Sequence, residues 1–244
     1  MPHHAPPRPA PSASTWVATG RRMTVSGSMP PAMIDLDHPR RGITVAVPGG
    51  GECSLLGLDP GAAPRLVDHW LRGDDVTAVY ESEDARHVRI TAMWRLVPSL
   101  DGTRAWELVA SAQTSLLQSD AALPVVSHAD TADILWGRWE EGTVRWQADP
   151  PEEPHCLLLQ NVGAAPAAGT SVLVVPHPSD AGSIAMRRDG RRVTVECPLF
   201  ATAVEKGVLL RSRVLAAIGP SADARRWAAD MAAAFAATPP MLTT

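Results

Sequence analysis

The chain has 244 residues, 45% of them hydrophobic and 20% charged, a balance that suits a folded globular body and is too apolar for general disorder. Its formal charge of −4 provides no overall positive field, so neither nucleic acid nor a membrane surface is expected as a partner. Three cysteines, Cys53, Cys156 and Cys197, without C-x-x-C spacing argue against a disulfide framework and a thiolate metal site, and fit a reducing cytoplasm.

In chain order, residues 1–32 come first, with Pro2, Pro6, Pro7, Pro9 and Pro11 among Ala and Ser; they read as a disordered tail. Trp16-Val17-Ala18 is interrupted at once by Thr19-Gly20-Arg21-Arg22, so the apolar run of an export signal is missing. No stretch approaches the ~20 apolar residues of a membrane helix. Residues 33–244 are expected to form one domain.

From Ile43 onward, short β-rich runs alternate with turn residues. Ile43 to Val47, Cys53 to Leu58, Val76 to Glu81, His87 to Val97 and Arg104 to Leu116 are the first expected strands. Thr143 to Gln147, Cys156 to Gln160, Val172 to Val175, Ser183 to Arg187, Arg192 to Glu196 and Gly207 to Ala217 complete the set.

Two hairpins carry a definite register. A three-residue loop, Leu100-Asp101-Gly102 with Gly102 left-handed, opposes Trp94 with Leu108, Leu96 with Trp106, Ala92 with Ala110 and Arg95 with Glu107. A two-residue turn at Asp189-Gly190 would pair Met186 with Val193, Ile184 with Val195, Ala185 with Thr194 and Ser183 with Glu196. In the last strand, Val208, Leu210, Val214, Ala216 and Ile218 share the core side, while Glu205, Leu209, Arg211, Arg213 and Leu215 share a face expected to be partly covered. A helix over 222–237 closes the chain, with Ser221 as N-cap, Pro239-Pro240 as stop, and Trp227, Met231, Ala234 and Phe235 on its docking face. The predicted fold is mainly β, a two-sheet antiparallel sandwich with one C-terminal amphipathic α-helix.

Several phrases occur in order along the chain: Trp70-Leu71-Arg72-Gly73-Asp74-Asp75, Gln113-Thr114-Ser115-Leu116-Leu117, His177-Pro178-Ser179-Asp180, Glu205-Lys206-Gly207-Val208-Leu209-Leu210-Arg211 and Pro239-Pro240-Met241-Leu242-Thr243-Thr244. In these the sequence resembles an uncharacterised bacterial β-sandwich family reminiscent of the galactose-mutarotase-like supersandwich. The resemblance implies a supersandwich-like fold and passes on no residue roles, since folds host many functions.

The residues able to carry chemistry fall into a few groups. His177 and Asp180 meet at a strand end, where the imidazole can act as acid or base with the carboxylate orienting it; the alternative is a Pro-set turn bonded to its own backbone. Glu205, beside Lys206 and Gly207, is the carboxylate expected to act as base in an epimerase-like site, or else an ion pair at a strand edge. Arg187, Arg188, Arg191 and Arg192 surround one turn and suit an anion if they converge, or water if they do not.

With eight tryptophans against two Phe and one Tyr, Trp70, Trp136, Trp139 or Trp146 would make a stacking platform for sugar if placed on a sheet face, the alternative being core or loop anchoring, whereas Trp94, Trp106 and Trp227 belong to the core. Arg95, Glu107, Arg211 and Arg213 are the polar rows such a face would offer. His128-Ala129-Asp130 has no second ligand pair, so no metal is expected. The absence of dinucleotide, phosphate-loop and nucleophile-elbow motifs leaves no expected cofactor. The expected function is therefore non-catalytic binding of a carbohydrate or similar polyhydroxylated ligand. The alternatives are a sugar epimerase using Glu205 and His177, if they converge, and a protein-interaction module marked by an exposed apolar patch.

Overall fold

A computed structural model describes residues 16–25, 31–47, 51–61, 64–98, 102–163, 169–180 and 184–239. In chain order the strands are β1 Trp16–Thr19, β2 Arg22–Val25, β3 Ala32–Asp35, β4 Ile43–Ala46, β5 Glu52–Leu58, β6 Arg65–Arg72 and β7 Asp75–Glu81. Next come β8 Val88–Val97, β9 Arg104–Thr114, β10 Gln118–Asp120, β11 Leu123–Asp130, β12 Asp133–Glu140 and β13 Thr143–Gln147. The last are β14 Cys156–Gln160, β15 Thr170–Pro176, β16 Ala185–Asp189, β17 Arg192–Leu199, β18 Ala203–Glu205 and β19 Leu210–Pro220, followed by helix α1, Ala224–Ala237.

Two large antiparallel sheets form a sandwich. One has eight strands in the order β1-β2-β3-β4-β5-β11-β17-β16, the other nine in the order β13-β12-β14-β15-β19-β9-β8-β7-β6, and β10 pairs separately with β18. Period-two alternation aims Val88, Ile90, Ala92 and Trp94 of β8 and Val214, Ala216 and Ile218 of β19 into the core between the sheets. Leu215 and Ala217 of β19 point the other way, into a second core beneath α1 with Leu158, Leu173 and Val175. The last strand therefore has a core on both sides, because the helix covers its outer face.

The helix docks through two indoles, its own Trp227 and Trp146 of β13. Trp227 Nε1 donates to the Pro220 carbonyl at 2.8 Å, and Trp146 Nε1 to the Arg225 carbonyl at 2.8 Å. Gly219 leaves room for this contact, since a Cβ there would lie 2.8 Å from the Trp227 ring. At the other end, the buried Arg213 guanidinium donates to the Thr238 and Pro239 carbonyls at 2.9 and 3.3 Å, a cation placed where a helix C-terminus favours one. A helix of 14 residues is about 21 Å long, whereas nine strands span about 38 Å. Lying on β13, β14, β15 and β19, it leaves the outer face of β6, β7 and β8 uncovered.

The β8–β9 register agrees with the sequence pattern at each predicted pair, from Ala92↔Ala110 through Arg95↔Glu107, and Gly102 takes φ 75°; Leu100 and Asp101 lie outside the described residues. The β16–β17 register differs. Met186 pairs with Val195 rather than Val193, Ala185 with Glu196 rather than Thr194, and Asp189 with Arg192, so the turn is Gly190-Arg191. Gly190 has φ 59° while Asp189 does not take positive φ, which fits a glycine-first two-residue turn instead of one needing two left-handed residues. The slip is two residues, so each side chain keeps its face; Ser183 lies outside the described residues.

Three further expectations need correction. Within the span read as a tail, Trp16–Thr19 and Arg22–Val25 are strands; Trp16 is buried and donates to the Asp74 carbonyl at 3.1 Å, so apolar residues too few for a core of their own are used by one assembled elsewhere. Asp223, not Ser221, precedes the helix, and Ser221 Oγ instead shares a 2.9 Å hydrogen bond with Ser171 Oγ. Ala234 is exposed, and the docking face is Ala224, Trp227, Ala228, Met231, Ala232 and Phe235.

Candidate functional site

The uncovered outer face of the nine-stranded sheet is where register gathers polar side chains. Cross-strand pairing sets Trp70 opposite Thr77, Thr77 opposite Met93, Met93 opposite Val109 and Val109 opposite Arg213 in one row. A neighbouring row runs Arg72, Asp75, Arg95, Glu107, and another Val79, Thr91, Ser111, Arg211. These rows shape a hollow of about 310 Å³ lined by Trp70, Arg72, Asp75, Arg95, Ser111 and Arg211, among others.

Trp70 is the only exposed tryptophan of the eight, at 43%. Trp16, Trp94, Trp106, Trp136 and Trp227 are buried, and Trp139 and Trp146 pack half-buried against the helix-side core. The core assignments of Trp94, Trp106 and Trp227 thus hold, and of the four platform candidates only Trp70 has an open ring. Arg95 grips Asp75 through two hydrogen bonds of 2.7 and 2.9 Å, a bidentate pair that fixes both side chains. Arg211 Nε donates to Ser111 Oγ at 3.2 Å across the floor.

Glu107 and Arg213 take a different role from the ligand contacts expected of them. Both are buried and pair at 3.5 Å, and Arg213 also lies 5.4 Å from the centre of the Phe235 ring. Burial pushes the Glu107 carboxyl above its ordinary range, while Arg213 and then Arg95 pull it back. The pair anchors the helix beside the hollow and does not line it.

His177 and Asp180 do converge, in a closed local network. His177 Nδ1 and Ser179 Oγ are 2.7 Å apart, Ser179 Oγ donates to Asp180 Oδ1 at 3.0 Å, and the Arg213 backbone N–H donates to Asp180 Oδ2 at 2.9 Å. The imidazole is buried, edge-on to Phe235 at 5.2 Å, and its pKa is lowered by burial and then by Arg213. Glu205 is exposed on β18 opposite Gln118. Neither His177 nor Glu205 lines the Trp70 hollow.

A larger hollow of about 580 Å³ opens at the end of the same sheet, lined by Glu81, His87, Arg89, Gln113 and Lys206, among others. Glu81 is held there between Arg65 and Arg89, at 2.7 and 3.2 Å. His87 adopts φ 46°, an uncommon left-handed conformation for a residue with a side chain.

The four arginines of the β16–β17 hairpin do not form one cluster. Arg188 donates to the Thr131 and Ala132 carbonyls and Arg191 to that of Gly163, and Arg187 approaches Glu196 only at 4.0 Å. Arg192 alone turns to a hollow on the eight-stranded sheet, with Arg40, Arg41, Glu52, Ser54 and His128. There the His128 pKa is lowered by burial, then by Arg192 and Arg187. The three cysteines are buried, unpaired thiols. No helix among the described residues is long and apolar enough to cross a membrane.

Arg72, Asp75, Thr77, Thr91, Met93 and Ser111 line the Trp70 hollow without having been singled out individually from sequence. Arg72 and Asp75 follow Trp70 in the phrase Trp70-Leu71-Arg72-Gly73-Asp74-Asp75. The others could have been found by extending the outward-facing Arg95–Glu107 row to its neighbours at two-residue steps.

No protein-family model and no curated protein matches the chain. Among solved structures it is similar to HI1317, with a TM-score of 0.44 and 8% identity over 81% of this chain and 91% of that one. A GalM/aldose epimerase homologue from C. elegans has a TM-score of 0.42 and 8% identity, over 85% of this chain and 99% of that one. A protein described as a kojibiose phosphorylase, from the human microbiome, has a TM-score of 0.42 and 5% identity over 93% of this chain, which spans 33% of that protein's length. At such identities no residue role carries over.

Proposed function

We propose that the protein binds a carbohydrate or similar polyhydroxylated ligand, without turnover, on the outer face of β6–β9 and β19. The observation that carries this reading is Trp70, an indole 43% exposed beside a hollow of about 310 Å³ whose mostly apolar lining is edged by the Asp75 carboxylate and the Arg72, Arg95 and Arg211 guanidinium groups. A sugar ring offers an apolar C–H face to an indole and a rim of hydroxyls to the polar residues around it. Asp75 and Arg95 hold each other at 2.7 Å and act as fixed acceptor and donor, which favours recognition over proton transfer. A cytoplasmic location belongs to the same reading, supported by the three free, buried thiols.

Glycan-array screening followed by titration of intrinsic tryptophan fluorescence tests the proposal. A sugar that shifts Trp70 emission is expected to bind about 30-fold more weakly to Trp70→Ala, the equivalent of losing about 2 kcal/mol from a central aromatic contact. An array with no binding, or equal affinity for the variant, overturns it.

One feature favours a second reading, an interaction surface. Leu117 and Leu209 are 86% and 52% exposed, Leu116 and Val208 adjoin them in sequence, and the two segments are joined by a hydrogen bond from the Lys206 N–H to the Leu117 carbonyl. Sedimentation that is unchanged by Leu117→Asp across a concentration series would count against self-association through this surface.

A further inference from the structure

We propose that the ligand is an extended oligosaccharide lying along β8 and β9 and filling both hollows of the outer face, rather than a single sugar unit; this rests on the carbohydrate reading of the Trp70 hollow. The two hollows meet on one surface. Arg89 and Gln113 line the larger, Thr91 and Ser111 the smaller. Arg89 is opposite Gln113 and Thr91 opposite Ser111, and both pairs project from the same face. Only one intervening residue per strand separates the pairs, a step of about 7 Å. From Arg95 in the first hollow to Arg89 in the second is six residues of unbroken strand, about 20 Å. That is the length of several linked pyranose units.

The chemistry along this track suits a hydroxyl-rich chain. Trp70 supplies a stacking surface at one end, Thr91, Ser111 and Arg211 supply hydroxyls and a guanidinium in the middle, and Gln113 and Lys206 supply an amide and an ammonium at the other end. The carboxylates are already held, Asp75 by Arg95 at 2.7 Å and Glu81 by Arg65 and Arg89 at 2.7 and 3.2 Å. They therefore accept from ligand hydroxyls without demanding a cation. An extended peptide is a poorer match, because this is the face of a sheet and not its edge. The backbone N–H and C=O groups of β8 and β9 are used within the sheet, and β-strand addition has nothing to pair with.

Calorimetric titration of the full chain with homo-oligosaccharide series, α-linked and β-linked, from monosaccharide to hexasaccharide, tests the idea. One series is expected to bind about tenfold more tightly with each of the first added units and then level off once the track is filled. Gln113→Ala and Lys206→Ala are expected to remove much of the gain between short and long chains, whereas Trp70→Ala weakens every length. Equal affinity for monosaccharide and hexasaccharide overturns the extended track while leaving sugar binding intact. Binding at no length overturns both. Length dependence unaltered by both distal substitutions also overturns the track, because the added units would then lie elsewhere.

Discussion

Replacing Arg213 with Met removes a charge that the fold has enclosed. Arg213 is 2% exposed and its partner Glu107 6% exposed, and breaking a buried pair from one side costs about 3–5 kcal/mol because the other charge is left uncompensated. The substitution also deletes the donors to the Thr238 and Pro239 carbonyls and the cation over Phe235. For a chain of this size the loss corresponds to about 6–20 °C in Tm.

Burial raises the Glu107 pKa above its unfolded value, and Arg213 opposes that rise. A group with a raised folded pKa stabilises the fold fully below the unfolded pKa, and that contribution disappears as pH climbs through the folded pKa. Without Arg213 the folded pKa moves higher still, so the deficit of Arg213→Met is expected to be largest at neutral pH and to shrink as pH falls toward about 4. The double variant Arg213→Met/Glu107→Gln is expected to recover much of the loss. Thermal melts by circular dichroism at neutral and acidic pH measure all three forms. A single variant within about 2 °C of wild type at pH 7 would refute the buried-pair reasoning, as would a double variant no better than the single.

Gly219→Ala puts a methyl 2.8 Å from the Trp227 ring, whose Nε1 is held by the Pro220 carbonyl; overpacking of this kind costs about 1–3 kcal/mol, and a lowered midpoint in urea denaturation is the readout. The turn assignment predicts that Gly190→Ala destabilises by about 1–2 kcal/mol, through φ and not through a clash, because nothing lies within 4 Å of the added carbon. Asp189→Ala is expected to be nearly neutral in the same measurement, and a larger cost there than at Gly190 would restore the Asp189-Gly190 turn. Burial pushes the thiols of Cys53, Cys156 and Cys197 up to about 12, so a thiol reagent at pH 8 is expected to leave them unmodified in the native chain and to label all three in denaturant.

Local pattern was enough wherever a segment's two faces meet different surroundings. The β8–β9 hairpin was readable to the residue because Trp94, Leu96, Trp106 and Leu108 alternate with Arg95 and Glu107, and a one-residue slip would exchange the faces. The β16–β17 hairpin was less constrained. A two-residue slip keeps every face, so only the backbone angles at Gly190 and Asp189 decide between the registers.

Strand β6 was not predicted, because as an edge strand it leaves both faces partly open and its sequence RLVDHWLR shows little alternation. Strand β11 contains Pro124, which argues against a central strand, yet it lies between β5 and β17 with Pro124 opposite Pro198. Trp16 and Met23 were assigned to a tail because a core assembled from the whole chain is invisible in a local window.

The candidate site divides along the same line. Residue type and alternation placed Arg95, Glu107, Arg211 and Arg213 on the outward face, and the count of tryptophans raised the idea of stacking. Which of them faces solvent was decided by where the helix ends. One helix shorter than the sheet is wide buries Glu107, Arg213 and His177 beneath its C-terminal end and leaves Trp70, Arg95 and Arg211 open. Sequence alone determined the alternation of faces, because side-chain direction follows from the pleat. Exposure depends on what packs across the sheet from distant segments, and only the assembled tertiary structure decided it.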